Sequence, residues 1–486
     1  MQNSLPLQIY TSNQVRELDR LAIDEYGISG IVLMRRAAEK AFGVLFEYWP
    51  DAVSVGVYCG SGNNAGDGFI IAGLLADRGI QTKVVVVGDP EKLGPDAAEA
   101  LNFCRQRSVQ FCDAALDCNV IVDALLGTGL SGEVRPDYAQ AIESINQAGK
   151  PVLAVDVPSG LSADTGQSLG QSIDASVTVT FIGLKKGMFT GEGPQKCGII
   201  QYDDLGVPEE LFARVESNTT RLDIDNCRSR LPARNANAHK TDFGHVLVAG
   251  GTAGMGGAVL MAAEAALRVG AGLVSVATQE ENIIPVLSRR PEVMARSVLN
   301  DEELDPMLEK ATCIVLGPGL GRNSWSQWLF ERLINSGIPG VLDADALNLL
   351  SGKHTDCTNW ILTPHPGEAA RLLGDKDLLQ DRFVAVTEIQ RRYRGVALLK
   401  GAGTLITDGS GISICPYGNP GMATAGMGDV LSGVIGGLLA QGLPARDAAE
   451  VGVALHAYAG DLVAEAQGER GLIATDVIPC IRRLVG

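Results

Sequence analysis

Residues 60–68 read GSGNNAGDG, after the apolar run VSVGVYC and before FIIAGLLADRG. Strand, glycine loop and helix in this order make the kind of turn in an α/β sheet that usually holds a nucleotide phosphate. Gly60, Gly62 and Ala65 even satisfy the glycine pattern of dinucleotide-binding folds, in which alanine can stand third. Asn63, Asn64 and Asp67 do not suit that role, because a carboxylate near a helix N-terminus competes with phosphate for the positive end of the dipole. No acidic residue closes the next strand about 20 residues on, since Asp89 lies farther away and follows a glycine. The turn therefore points to an α/β fold and away from an intact dinucleotide held in the usual way.

Outward from this turn, β-branched runs alternate with amphipathic segments: TKVVVVG, NVIVDALL, PVLAVDVP and ASVTVTFIG. This predicts a mostly parallel sheet. A polar stretch without sustained period follows, and a linker is expected at residues 212–226, between a domain over 1–215 and another over 226–486. A second alternation starts at HVLVAGG and passes through GLVSVAT, ATCIVLGPG, IPGVLDAD, NWILTP and GVALLKG. The loops of the two halves differ, so the second domain is not a repeat of the first.

A chain of 486 residues calls for two to three domains, and 46% hydrophobic with 20% charged residues predicts globular structure throughout. The formal net charge of -17 argues against a general nucleic-acid binder and against anionic membrane surfaces. The N-terminus shows no basic segment followed by an apolar one, and no apolar run is long enough to span a bilayer. A cytoplasmic location is expected. The ten cysteines are scattered without CxxC spacing and the five histidines without HxxxH spacing, which argues for reduced thiols and against a zinc site.

Three runs of the first half end in oxygen-bearing side chains near glycine: Asn63 and Asn64, Asp123, and Asp156 with Ser159. In a parallel sheet such ends face one crevice. Oxygens from Asn64, Asp123 and Ser159 would suit a hard cation, leaving Asp67, Thr128 and Asp156 for a polyhydroxylated ligand. The plainer alternative is that Asp67 caps a helix beginning at Gly68 and that Asp123 and Asp156 stabilise turns. In the second half, Gly426 and Gly428 precede Asp429 at the start of an apolar helical run. Backbone N–H groups there would stabilise a transferring phosphoryl group, with Asp429 placed to take the proton of an attacking hydroxyl. Here too, capping is the simpler alternative for Asp429. The Walker pattern GxxxxGK[ST] is absent.

GNNAGDG, DALLGTGLSGEVRP, DVPSG and FIGLKKG, in this order, resemble the NAD(P)H-hydrate epimerase domain, and SNQVRELDRLAIDEYGISGIVLM is similar too. The resemblance implies a potassium ion on Asn64, Asp123 and Ser159. It implies substrate contacts from Asn63, Asn64, Ala65, Gly66 and Asp67, from the loop Gly127, Thr128, Gly129, Leu130, Ser131, Gly132 and Glu133, and from Asp156, the acid/base candidate. Lys185 falls where the family has a lysine. Ala65 replaces a usual glycine, and Arg35 departs from the commoner acidic or glycine-containing pattern.

The Gly-Met-Gly-Asp sequence ending at Asp429 resembles the GxGD signature of ribokinase-like folds. With HKTDFGHVLVAGG, GGAVLMAAEAALRVGAGLVSVAT, GPGLG, TPHPGE and KGAGT, the resemblance narrows to the ADP-dependent NAD(P)H-hydrate dehydratases. That implies substrate contacts at Ala258, Gly319, His365 and Asp429, ADP contacts at Lys400, Gly401, Ala402, Gly403, Thr404 and Gly428, and magnesium with the nucleotide. His365, between two prolines, reads otherwise as a turn histidine. The expected architecture is a Rossmann-like α/β/α sandwich followed by a ribokinase-like α/β domain. The expected partners are NADH hydrate, NADPH hydrate and ADP, without nucleic acid or membrane, in a homo-oligomer. Two rival readings are a ribokinase-like small-molecule kinase, which would leave a stable phosphorylated product, and a first domain that binds without catalysing.

Overall fold

The β-branched runs of the first half form a seven-stranded sheet in the order Gln110–Phe111, Gln81–Val86, Ser54–Cys59, Val120–Ala124, Val152–Val155, Val177–Phe181 and Ile199–Asp203. Every neighbouring pair is parallel. Parallel strands need helical crossovers, which bury both sheet faces. The central strands are apolar for that reason, with Val57, Val122 and Val155 fully buried. From Ser54–Cys59 the chain first winds toward Gln110–Phe111 and then resumes on the other side at Val120–Ala124. This reversal opens a crevice at the C-terminal ends of the strands, where Tyr58 pairs with Asp123 and Cys59 with Ala124.

The structure is a computed structural model that describes residues 5–486, and the chain divides into two units between Thr219 and Thr220. In the second unit seven strands pair in parallel in the order Met294–Ser297, Leu273–Thr278, His245–Ala249, Cys313–Leu316, Gly340–Leu342, Trp360–Leu362 and Val396–Leu399. Thr404–Thr407 and Ile412–Cys415 continue the sheet as an antiparallel meander. The helix Met427–Ala440 is apolar on all sides and accordingly buried, with Val430, Val434, Ile435 and Leu438 fully covered. It lies against the helix Gly256–Val269 so closely that a Cβ on Gly433 would fall 2.1 Å from the Ala262 carbonyl oxygen.

The division between Thr219 and Thr220 falls inside the stretch 212–226 expected to hold the linker, which contains the strand Thr219–Arg221 and the start of the helix Ile224–Ser229; the Leu222 amide donates to the Ile414 carbonyl at 2.8 Å. The helix expected from Gly68 begins at Asn63 instead. Asp67 therefore sits within the helix and does not cap it. Among the described residues no helix is long and apolar enough to cross a membrane.

Candidate active sites

In the first unit the crevice is a cavity of about 640 Å³ lined by Asn63, Asn64, Asp67, Gly127, Thr128, Gly129, Leu130, Ser131, Glu133, Asp156 and Lys185. Gly60 makes it possible: a Cβ there would lie 1.9 Å from the Leu125 carbonyl oxygen, so the two loops touch only with glycine at this position. The glycine of the apparent dinucleotide pattern thus serves loop packing. Asp156, directly after the strand Val152–Val155, has φ 69°, a left-handed conformation that costs a non-glycine residue about 1 kcal/mol. Its amide donates to the Val179 carbonyl at 2.7 Å, which holds the turn in that conformation.

Lys185, fully buried, donates to the Asp156 carboxylate, to Thr180 Oγ1 at 2.9 Å and to the Phe181 carbonyl at 3.0 Å. All three ammonium hydrogens are thereby used, so the charge is held in one place. Burial, followed by the negative charges of Asp156 and Asp19, pushes the Asp67 carboxyl well above the usual carboxylate range.

Asp123 and Ser159 are both fully buried and stand outside the residues that line the cavity. The Ser159 amide and hydroxyl donate to the Asp123 carboxylate at 2.8 and 2.6 Å, and the Leu126 amide donates to the Ser159 hydroxyl at 2.8 Å. Burial still prevails over these hydrogen bonds and lifts the Asp123 carboxyl to about 6. Asn64 is buried with neither its Oδ1 nor its Nδ2 hydrogen-bonded. A Cβ on Gly127, the residue after Leu126, would lie 3.6 Å from the Asn64 amide carbon and 3.6 Å from Asp156 Oδ2. An unpaired buried amide costs roughly 1–3 kcal/mol. Asn64 beside the Asp123–Ser159 pair is thus a donor set that fits a hard cation, with one carboxylate and otherwise neutral oxygens.

Not every residue of the motifs reaches the cavity. Ala65 is fully buried in the apolar core, and a Cβ on Gly66 would meet Met34 Sδ at 2.4 Å, so Gly66 packs against the helix Gly30–Tyr48. Gly132 lies outside the lining. Asp19, on the helix Ser12–Asp24, lines the cavity although no motif singled it out.

In the second unit the parallel strands end at Ala249, Leu316, Leu342, Leu362 and Leu399, so the residues after them share one edge. They include the loops at Gly250 and Gly317, then Asp343, His365 and Lys400. Lys400 Nζ donates to Asp343 Oδ1 at 2.8 Å, Thr363 Oγ1 donates to the same oxygen at 2.9 Å, and the Glu368 carboxylate lies 4.0 Å from Lys400. Burial opposes the Lys400 ammonium, but Asp343 and Glu368 outweigh it and raise its pKa.

Gly426, with φ 89°, turns the chain into the helix Met427–Ala440, so Asp429 falls in the first helical turn with no capping role. A Cβ on Gly428 would lie 3.2 Å from Lys400 Nζ and 3.4 Å from Asp343 Oδ2, which places this turn against the Lys400–Asp343 pair. Burial first, then the Asp343 charge, pushes the Asp429 carboxyl up to about 7 against the pull of Lys400. Asp429 is thus balanced to act as a base near neutrality.

The loop 401–404 is held from below by Arg382, whose Nη2 donates to the carbonyls of Leu399, Lys400 and Gly403 at 3.1, 3.4 and 3.4 Å. Thr404 Oγ1 closes the turn on the Gly401 carbonyl at 3.1 Å, while Gly401 and Ala402 are exposed. Ala258 and Gly319 are neighbours, since a Cβ on Gly319 would come 3.2 Å from that of Ala258. His365 does cap the helix Pro366–Leu373: its Nδ1 accepts from the Gly367 amide at 3.0 Å, and its Nε2 faces Glu368 at 3.3 Å. The ring remains half exposed.

Sequence reasoning missed Asp343, Arg382, Glu368 and His456. Asp343 follows the strand Gly340–Leu342 just as Asp156 follows its own strand, so the same signal was available. His456 gave none. It is a single histidine in an apolar helix, buried at 7% exposure with Nε2 unpartnered and hydrogen-bonded to the Met427 backbone. Burial pushes it down to about 4, so it is neutral.

Two α/β units built on parallel strands, one with a carboxylate–lysine pocket and the other with a raised carboxylate in a helix turn beside a lysine–aspartate pair, have the build of a two-domain enzyme. Residues 30–187 match the family described as YjeF-related protein N-terminus, and residues 246–483 the family described as NAD(P)H-hydrate dehydratase. A bifunctional NAD(P)H-hydrate repair enzyme of Coxiella burnetii is 49% identical, covering 98% of this chain and 99% of its own. One from Vibrio cholerae is 44% identical, with 99% of each chain covered. A ribokinase-like superfamily protein of Enterococcus faecalis, 28% identical, superposes with a TM-score of 0.53 over 56% of this chain and 96% of its own. The chain belongs to the bifunctional NAD(P)H-hydrate repair enzymes, with an epimerase domain followed by a dehydratase domain.

Proposed function

We propose that the first unit interconverts the R and S hydrates of NADH and NADPH, and that the second dehydrates the S form at the expense of ADP. The observation that carries this reading is Asp429 in the first turn of a buried helix, beside the Lys400–Asp343 pair and without a capping role. Asp429 takes the proton of the ring hydroxyl, whose oxygen attacks the terminal phosphorus of ADP and releases AMP. The lone pair of the ring nitrogen then expels phosphate, and loss of a proton from the adjacent ring carbon restores the reduced nicotinamide. Lys400 and the amides at Gly428 face the charge that develops on the transferring group. Magnesium, bound with the ADP phosphates, would supply charge neutralisation there. The carboxylates of Asp343 and Glu368 are hard oxygen donors that would suit it.

In the first unit Asp156, fixed by Lys185, handles the proton of the ring hydroxyl. Asn64, Asp123 and Ser159 would hold potassium, whose charge would favour the ionised form of buried Asp123 and occupy the Asn64 amide oxygen. A cytoplasmic setting agrees with ten free cysteines, all but Cys112 buried. An assay that follows recovery of reduced-nicotinamide absorbance from mixed R and S NADH hydrates, with magnesium, potassium and either ADP or ATP, tests the whole reading. Complete recovery, faster with ADP, is expected. Recovery that stops when the S form is consumed would remove catalysis from the first unit, and a stable phosphorylated product would make the second unit a kinase.

A further inference from the structure

The helix Ser12–Asp24 lies against the epimerase cavity along a single face. Val15, Arg16, Asp19 and Ile23 all line the cavity, at the spacing of one helical stripe. Two anchors fix the helix in this rotation. The Ser12 amide and hydroxyl both donate to the Asp164 carboxylate at 2.7 Å, and Arg16 Nη2 donates to the Thr128 carbonyl at 2.9 Å, tying the helix to the substrate loop. The other acidic residues of the helix, Glu17 and Asp24, turn outward and pair with Arg20 at 2.7 and 3.0 Å. Among the described residues Asp19 forms neither an ion pair nor a hydrogen bond. It faces Asp156, Asp67 and the Lys185 ammonium, whose hydrogens are already used, with Arg16 one turn away.

Epimerisation at a carbon that carries a hydroxyl and is bonded to the ring nitrogen needs two proton-handling groups. One takes the hydroxyl proton; the other gives a proton to nitrogen as the carbon–nitrogen bond opens. We propose that Asp19 is the second of these groups, the proton donor of the epimerase site, opposite Asp156. The inference rests on the epimerase reading above. The Asp156 carboxylate accepts the hydroxyl proton, a carbon–oxygen double bond forms, and the electron pair of the carbon–nitrogen bond moves to nitrogen, which takes the proton of the Asp19 carboxyl. Rotation of the open-chain aldehyde presents its other face. Nitrogen adds back, returning its proton to Asp19, and the oxygen recovers its proton from Asp156. Water is neither gained nor lost, and only the configuration changes. Burial first, with Lys185 lowering it and Asp156 raising it, carries the Asp19 carboxyl to about 6, which keeps a protonated fraction available near neutrality.

The test uses the full-length protein with purified R-NADH hydrate and potassium, without ADP, and follows the R/S ratio by chromatography. Dehydration of S-NADH hydrate with ADP, measured on the same preparations, is the internal control for folding. The wild type is expected to hold its epimerisation kcat below about pH 6 and to lose about tenfold per unit above it, as the donor ionises. Asp19→Asn is expected to lower kcat by about 10²-fold with KM within about twofold, to abolish the alkaline fall and to spare dehydration; Asp19→Glu should recover part of the loss. Asp19→Asn within about threefold of wild type, or a wild-type profile flat from about pH 5.5 to 8, would overturn the proposal while leaving the epimerase reading intact. If Asp19→Asn does not fold, a flat wild-type profile still overturns the proposal, and Asp19→Glu, read on the same two assays, supplies the variant test. A wild type that fails to epimerise would reject the epimerase reading, and Asp19 as donor with it.

Discussion

The second unit carries a buried carboxylate, Asp429, whose surroundings decide its protonation. Asp429 is lifted to about 7 by burial and by Asp343, so it is an acid below neutrality and a base above it. A general base works only when ionised. Dehydration kcat is therefore expected to fall as pH drops through about 7, and Asp429→Asn is expected to lose about 10²–10⁴-fold in dehydration while epimerisation stays unchanged. Parallel assays of the two reactions across pH check both statements, and a loss of both activities in a folded variant would contradict the separate-site assignment. Asp429 was legible in the sequence because glycines surround it. Asp343 carried only the weaker signal of an Asp after a strand; what gives it weight is its 2.8 Å contact with Lys400, a residue 57 positions away, which the sequence does not show.

Among the elements, the paired helices Gly256–Val269 and Met427–Ala440 set the geometry of the dehydratase edge. Their approach depends on glycine: a side chain at 433 would press on the Ala262 carbonyl oxygen at 2.1 Å, and one at 437 on Val269 Cγ1 at 2.4 Å. Alanine improves helix propensity over glycine by about 1 kcal/mol. Overpacking against backbone costs about 1–3 kcal/mol and does not relax by a rotamer change. Gly433→Ala is therefore expected to destabilise the protein and to lower dehydration without touching epimerisation, as urea unfolding and paired assays would record. The strand-and-turn pattern of both halves was readable because apolar periodicity reports sheet and helix directly. The start of the helix at Asn63 was not readable, because Gly62 precedes it without a side-chain cap and GNNAGDG looks like loop.

At the scale of the molecule, the two sites lie in different units of the chain and use different carboxylates. Asp156→Asn should therefore stop recovery from mixed hydrates once the S form is spent, and Asp429→Asn should stop it from the start. Mixing the two variants is expected to restore complete recovery, because the S hydrate is a free product that any chain can take up. A mixture that still stalls at the S fraction would mean that the hydrate passes between units without release.

The order of strands and helices, the division into two α/β halves and the motif residues around Asn64, Asp156 and Asp429 were determined by sequence alone, because periodicity, glycine spacing and local polar clusters are properties of neighbours along the chain. The tertiary structure decided which carboxylates meet a charge. It aimed Asp19 into the cavity through the Ser12–Asp164 and Arg16–Thr128 anchors, buried Asn64 without a partner beside Asp123 and Ser159, and set Asp343 against Lys400. Desolvation and Coulomb interactions depend on distance in space and on burial, and neither is recorded in the spacing of residues along the chain.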